Sequence, residues 1–298
     1  MKINKTALVL GIASLSWILG CSSQVLAASF ICTDFDDPKG VGVTYGNGIN
    51  DNNQIVGYYL SKGQIHGFLD TKGKFTDIDD PQAAGKTYAQ GINNAGEIVG
   101  YYFDAKGKTH GFLYKKGEFT NIDDPEGIGS SYATAINNKG EIVGYYTDSK
   151  GHVHGFLEKN GQFTNIDNPQ GSGYTYVTGI NDQGDVVGYY YGIRSEHGFL
   201  ATHGVFTNTD DPQGPQKSYA AGINNKGEIV GYYFDHDGAI HGFIDNHGAF
   251  ADIDDVNALG GTFATGINNS GKIAGYYSDM PYTLDPHGFL ATQHPDKK

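Results

Sequence analysis

Gly222-Ile-Asn-Asn-Lys-Gly-Glu-Ile-Val-Gly-Tyr-Tyr233 is the stretch whose reading decides the fold. The phrase returns, with small changes, from Gly48, Gly91, Ala135, Gly179 and Gly266. Its isoleucines, Ile49, Ile92, Ile136, Ile180, Ile223 and Ile267, lie 43, 44, 44, 43 and 44 residues apart. A fixed period of about 40–45 residues that divides into four short strands signals a propeller blade. The unit 131–168 divides in that way. Ser131-Tyr-Ala-Thr-Ala-Ile136 and Glu141-Ile-Val-Gly-Tyr-Tyr146 read as strands across a tight turn whose Gly140 is free to take positive φ. His154-Gly-Phe-Leu-Glu-Lys159 and Gln162-Phe-Thr-Asn-Ile-Asp167 form a second hairpin around Asn160-Gly161. No stretch after the leader shows a capped 3.6-residue period, so no helix is predicted.

Loop length assigns strands to sheets. The Asn-x-Gly and Gly turns close hairpins, whereas the Asp-Asp-Pro-x-Gly connection is long and its proline cannot donate to a ladder. Blades are therefore expected to meet at that connection, each running from an inner to an outer strand. The sixth unit then lacks its fourth strand before the chain ends. Cys32-Thr-Asp-Phe-Asp-Asp-Pro38 matches Phe75-Thr-Asp-Ile-Asp-Asp-Pro81 and supplies a spare one. The prediction is an all-β, six-bladed β-propeller with four strands per blade, residues 28–298 forming one domain whose N-terminal strand completes the last blade. Closure of that kind leaves only short, protected edges. A linear solenoid would give the exchanged strand no purpose, and its coils are usually shorter.

Residues 1–27 read as an export signal: Lys2 and Lys5, an apolar run from Ala7 to Leu19, and Val25-Leu-Ala27 before the cleavage point. The run is too short to span a membrane comfortably. Ile18-Leu-Gly-Cys21 supports a competing reading, a lipoprotein signal over 1–20 with Cys21 lipidated as an anchor. Both readings place the protein outside the cytoplasm, whether secreted, periplasmic or held at the surface. Loss of Lys2 and Lys5, with no acid lost, moves the net charge from −13 to −15. That balance argues against nucleic acid and anionic membranes as partners and favours neutral or cationic ligands. Trp17 is the only tryptophan, so the Trp-Asp mark of WD40 propellers is absent from the mature chain. Cys32 takes the place of Phe75 and reads as a small apolar filler without a disulfide partner.

Two faces follow from the pairing. One holds the tight turns; the other holds the Asp-Asp-Pro connections and the loops between Tyr-Tyr and His. Longer, more varied loops usually carry binding, so the second face is where a ligand is expected. Tyr59, Tyr102, Tyr146, Tyr190, Tyr233 and Tyr277 end their strands there as candidate sugar platforms, against the alternative that they pack between blades. Arg194, Glu196, Asp279 and Asp285 sit in the two loops that depart most from the repeat and are the candidates for asymmetric binding, against the reading as solvated loop charges. The six His-Gly-Phe histidines, His66, His110, His154, His197, His241 and His287, are read as blade-corner pins, because metal ligands must converge on one ion and a wide ring does not. Calcium at the Asp-Asp-Pro corners is the weaker alternative to turn capping by Asp. No metal ligand, cofactor or catalytic residue is assigned.

The unit Gly-Ile-Asn-Asn-x-Gly-x-Ile-Val-Gly-Tyr…His-Gly-Phe-Leu resembles the bacterial extracellular HAF-repeat family, named for a His-Ala-Phe motif that here has Gly in the middle. The resemblance spans the mature chain. It implies an exported bacterial repeat protein and brings no catalytic residues. The expected function is a non-enzymatic propeller that binds glycans or another cell-surface ligand. An enzyme acting on a carbohydrate or lactone, such as a hydrolase or lyase, and a scaffold for protein partners are the alternatives.

Overall fold

Each copy of the repeat phrase folds as a hairpin because the first Asn of its turn organises the backbone. In blade three the Asn137 Oδ1 accepts the N–H groups of Lys139 and Glu141, both at 3.0 Å. Gly140 then takes φ 77°. The same Asx geometry recurs at Asn50, Asn93, Asn181, Asn224 and Asn268. In the computed structural model, which describes residues 30–40, 42–280 and 285–293, these hairpins build six four-stranded antiparallel sheets arranged as a six-bladed β-propeller. The described residues contain twenty-four strands and no helix. The expected leader 1–27, with Cys21, and the tail 294–298 lie outside them.

The inner strands are Thr44–Ile49, Thr87–Ile92, Ser131–Ile136, Thr175–Ile180, Ser218–Ile223 and Gly261–Ile267. Blade six consists of Gly261–Ile267, Ile273–Ser278, Pro286–Gln293 and the N-terminal Phe30–Phe35. The ring closes in the register that the repeat predicts: Thr33 faces Leu290, Asp34 faces Phe289 and Phe35 faces Gly288. Tyr277 adds a hydrogen bond to Asp34 at 3.2 Å across the junction.

The core lies between blades. Val56 of blade one packs with Ala89, Ile98 and Phe112 of blade two, and equivalent clusters repeat around the ring. The phenylalanines of His-Gly-Phe (Phe68, Phe112, Phe156, Phe199, Phe243 and Phe289) are fully buried. Glycine precedes each Tyr pair for a steric reason. A Cβ on Gly144 would collide with the carbonyl oxygen of Tyr132 and come within 2.8 Å of the Phe156 ring. An aromatic circuit surrounds the axis near the start of the inner strands. Tyr45, Tyr88, Tyr132, Tyr176, Tyr219 and Phe263 each stack on the first tyrosine of their own blade's pair, at 4.3–4.7 Å. Edge contacts at 4.8–5.0 Å link every stack to the next blade.

Candidate functional site

A β-bulge interrupts each pairing of inner and second strands, one residue before the recurring Gly-Ile or Ala-Ile. A bulge inserts an unpaired residue and re-aims its side chain. The bulged residues are Asn47, Gln90, Thr134, Thr178, Ala221 and Thr265, and together they wall an axial cavity of about 220 Å³. Several also tie neighbouring blades: Thr134 donates to the Val177 carbonyl at 2.9 Å and Thr265 to that of Gly46 at 2.8 Å. This cavity lies at the tight-turn face, opposite the face that loop length singles out.

Two hydrogen-bonded belts frame its mouth. In the inner belt each buried Asn of the turn donates through Nδ2 to the backbone carbonyl of its counterpart in the next blade, from Asn50 to Asn93 and onward until Asn268 returns to Asn50, at 3.0–3.3 Å. In the outer belt the next residue's N–H donates to the side-chain Oδ1 of its neighbour, at 2.8–2.9 Å. Four members of the outer belt are Asn and two are Asp. Asp51 belongs to blade one and Asp182 to blade four, so the carboxylates stand on opposite sides of the axis. Asn94 and Asn269 donate to Asp51 at 2.7 and 2.8 Å; Asn138 and Asn225 donate to Asp182 at 2.9 and 2.6 Å. Burial raises the pKa of both acids, but these amide donors outweigh it and hold both below the usual carboxylate value. The mouth therefore carries two negative charges and a ring of amides.

On the loop-rich face the six predicted tyrosines are buried, between 0 and 4% exposed. Their rings face the inter-blade core and lean on the His rings at 5.1–5.4 Å. Their hydroxyls latch the outer strand of the blade and the connecting loop: Tyr59 to Asp77, Tyr146 to Asn165 and Glu126, Tyr190 to Asn208 and Gln170. Burial pushes all six phenols up. The ring faces are thus used in packing rather than open as sugar platforms. Beside Tyr59, a surface recess is lined by Lys39, Ser61, Lys62, Gln64 and His66.

Each His of His-Gly-Phe pairs through Nδ1 with the first Asp of a corner, at 2.7–2.9 Å: Asp79, Asp123, Asp167, Asp210, Asp254 and, for His287, Asp36. The second residue of the corner caps the backbone two positions on, as Asp80 does for Gln82 at 2.8 Å. The other oxygen of Asp37, Asp80, Asp124 and Asp211 is buried without a partner among the described residues, and so is the amide nitrogen that Asn168 presents there in blade three.

Arg194 and Glu196 lie in blade four and Asp279 and Asp285 in blade six, so a whole blade separates the two pairs. Arg194 is exposed; Glu196, Asp279 and Asp285 are half-buried. Asp279 Oδ2 lies 3.8 Å from His287 Nε2. In blade four the residue beside the imidazole is Ser195: its Oγ lies 2.6 Å from His197 Nε2, and His197 Nδ1 lies 2.7 Å from Asp210. Asp51 and Asp182 escape notice in a motif-by-motif reading. The signal is columnar: at the second turn position the other four repeats have Asn.

No protein-family model matches the chain, and neither does any curated protein. Solved structures do share its architecture. The SapL1 lectin in complex with α-methyl fucoside is 13% identical over 87% of this chain and 98% of that one, with a TM-score of 0.55. TolB from Acinetobacter baumannii is 12% identical over 84% and 63%, at 0.54. A protein of unknown function from Dyadobacter fermentans is 11% identical over 89% and 99%, also at 0.54. At these identities the likeness is one of fold.

Proposed function

We propose that this protein is an exported binding module that takes a glycan or a similarly hydroxyl-rich ligand in its axial cavity. The carrying observation is the cavity's chemistry: a mixed wall in which the bulged Asn47, Gln90, Thr134, Thr178 and Thr265 supply polar side chains among Ala and Ile, and a mouth where two opposed carboxylates are separated on each side by a pair of Asn amides. Each belt carboxylate already accepts three N–H groups, which leaves one acceptor site on its Oδ1 for a ligand hydroxyl, and the two negative charges disfavour an anionic ligand. Ligand pockets for drug-sized molecules run to about 300–1,000 Å³, so a cavity of about 220 Å³ suits one terminal sugar unit. A lectin of the same architecture crystallised with a fucoside supports sugar binding as a use of this fold. Glycan-array screening followed by calorimetry tests the reading. One saturable site per chain is expected, weakened at least tenfold in an Asp51→Asn, Asp182→Asn double variant that remains folded. Absence of binding to any glycan, or unchanged affinity in the variant, overturns it.

A second reading is hydrolysis of an ester or lactone on the loop-rich face, favoured by the alignment of Ser195, His197 and Asp210. In it Ser195 Oγ attacks the acyl carbonyl while His197 Nε2 takes the hydroxyl proton and Asp210 orients the ring; the ester C–O bond then breaks, the imidazolium returns the proton to the departing alcohol oxygen, and water releases the acyl group from Ser195 as the acid. A fluorophosphonate probe that leaves Ser195 unmodified, as judged by intact mass, removes this reading.

A further inference from the structure

Blade three differs from its neighbours in the loop between its second and third strands. Asp148 begins an Asx turn there, its Oδ1 accepting the N–H groups of Lys150 at 2.8 Å and His152 at 2.9 Å. The same turn is built by Asp104 in blade two and Asp235 in blade five. In all three the second oxygen is aimed at the His-Gly-Phe imidazole, 3.5–3.6 Å from Nε2. Only blade three carries a histidine at the fifth position of the turn, where blade two has Lys108 and blade five has Ala239. The His152 Nδ1 lies 3.4 Å from the same Asp148 oxygen.

We propose that Asp148, His152 and His154 form a divalent transition-metal site, with zinc as the ion that best fits the donor set. The three donor atoms lie within 4.8 Å of one another. Ligands about 2.0–2.1 Å from a tetrahedral zinc sit roughly 3.3–3.5 Å apart; the His152 contact to Asp148, at 3.4 Å, has that spacing, and the His154 contact, at 3.6 Å, lies just outside it. They are longer than a good N–H···O hydrogen bond, and blade three adds a second imidazole to the Asp–His approach that it shares with blades two and five. The outer partner is also in place. His154 Nδ1 meets Asp167 at 2.9 Å, which leaves the Nε2 lone pair for the ion, the arrangement in which a carboxylate orients a metal-binding imidazole. The His154 ring is held against Tyr146 at 5.3 Å. Three protein ligands leave a fourth position for water or a ligand atom. This site is separate from the axial cavity and stands whether or not that cavity binds sugar.

The test is calorimetric titration of untagged, chelator-stripped protein with Zn²⁺, paired with absorption spectra of the Co²⁺ form. One ion per chain and a tetrahedral Co²⁺ spectrum are expected. His152→Ala and Asp148→Asn should each weaken binding at least tenfold with the circular dichroism unchanged, since His152 is exposed and Asn keeps the capping oxygen. Lys108→His should install a second ion in blade two, where Asp104 and His110 already stand. Failure to bind Zn²⁺, or binding that is unchanged in His152→Ala, overturns the assignment.

Discussion

Replacing Asn137 by Ala tests whether the inner belt holds the ring together. Asn137 is 4% exposed. Its side chain makes four hydrogen bonds: it accepts from Lys139 and Glu141 N–H, and donates to Glu141 Oε2 at 2.7 Å and to the Asn181 carbonyl at 3.1 Å. A hydrogen bond contributes about 1 kcal/mol net, and more where a charged partner is involved. Removing four gives about 4 kcal/mol, of which water entering from the axial cavity restores a part, so about 3 kcal/mol is expected. Glu141 remains paired with Lys159 at 2.6 Å, so no bare buried charge is created. The neighbouring Asn138→Ala is the internal control. It removes two exposed bonds of the outer belt, to Asn94 and Asp182, and should cost under about 1 kcal/mol. Urea unfolding followed by circular dichroism measures both, the difference appearing as a shift in midpoint at constant slope. At roughly 2–4 °C per kcal/mol for a domain of this size, Asn137→Ala should also melt roughly 6–12 °C lower. Equal, small losses for the two variants would refute the inner belt as a source of stability.

Asp80→Asn, which copies Asn168, should stabilise the protein by about 1 kcal/mol at pH 7, because it removes a carboxylate charge that burial disfavours, while the amide nitrogen it brings is as unpartnered as that of Asn168. Burial raises the Asp80 pKa against the lowering effect of the Gln82 N–H. The folded state therefore favours the protonated acid. Wild-type stability from this group is full below the unfolded value and is lost as pH rises through the folded one, so the variant's gain should vanish in melts near pH 3. The Cys32 thiol is pushed up to about 12, first by burial and then by Asp255, so alkylation at pH 8 should be far slower than for a free thiol and accelerate in urea. Deleting residues 30–37 removes the outer strand of blade six and the Asp34 and Asp36 partners of Tyr277 and His287; an unchanged melting temperature would contradict closure by that strand.

The loop-length argument recovered the pairing order within each blade and the exchange of the N-terminal strand. These depend on local turn chemistry and on matching one repeat against another. It was less informative about the site. In a Tyr pair, strand alternation puts the rings on opposite faces but does not say which face is a core. The structure buries Tyr59 and its counterparts because the preceding blade packs over them, as Ala274 does over Tyr59 and Val56 over Tyr102. Loop length carries no signal for the axial cavity, since the bulges that shape its wall are single-residue register shifts with no length signature.

The 43–44-residue period, the four strands of each blade and the ring closure were written in the sequence alone, because turns and alternation act over a few residues and the repeat counts the blades. The tertiary structure alone decided that Asp51 would stand across the axis from Asp182, that six Asn side chains would join into a closed belt, and that His152 would meet Asp148 and His154. Those meetings depend on how bulges and blade twist aim side chains in space, which a one-dimensional period does not encode.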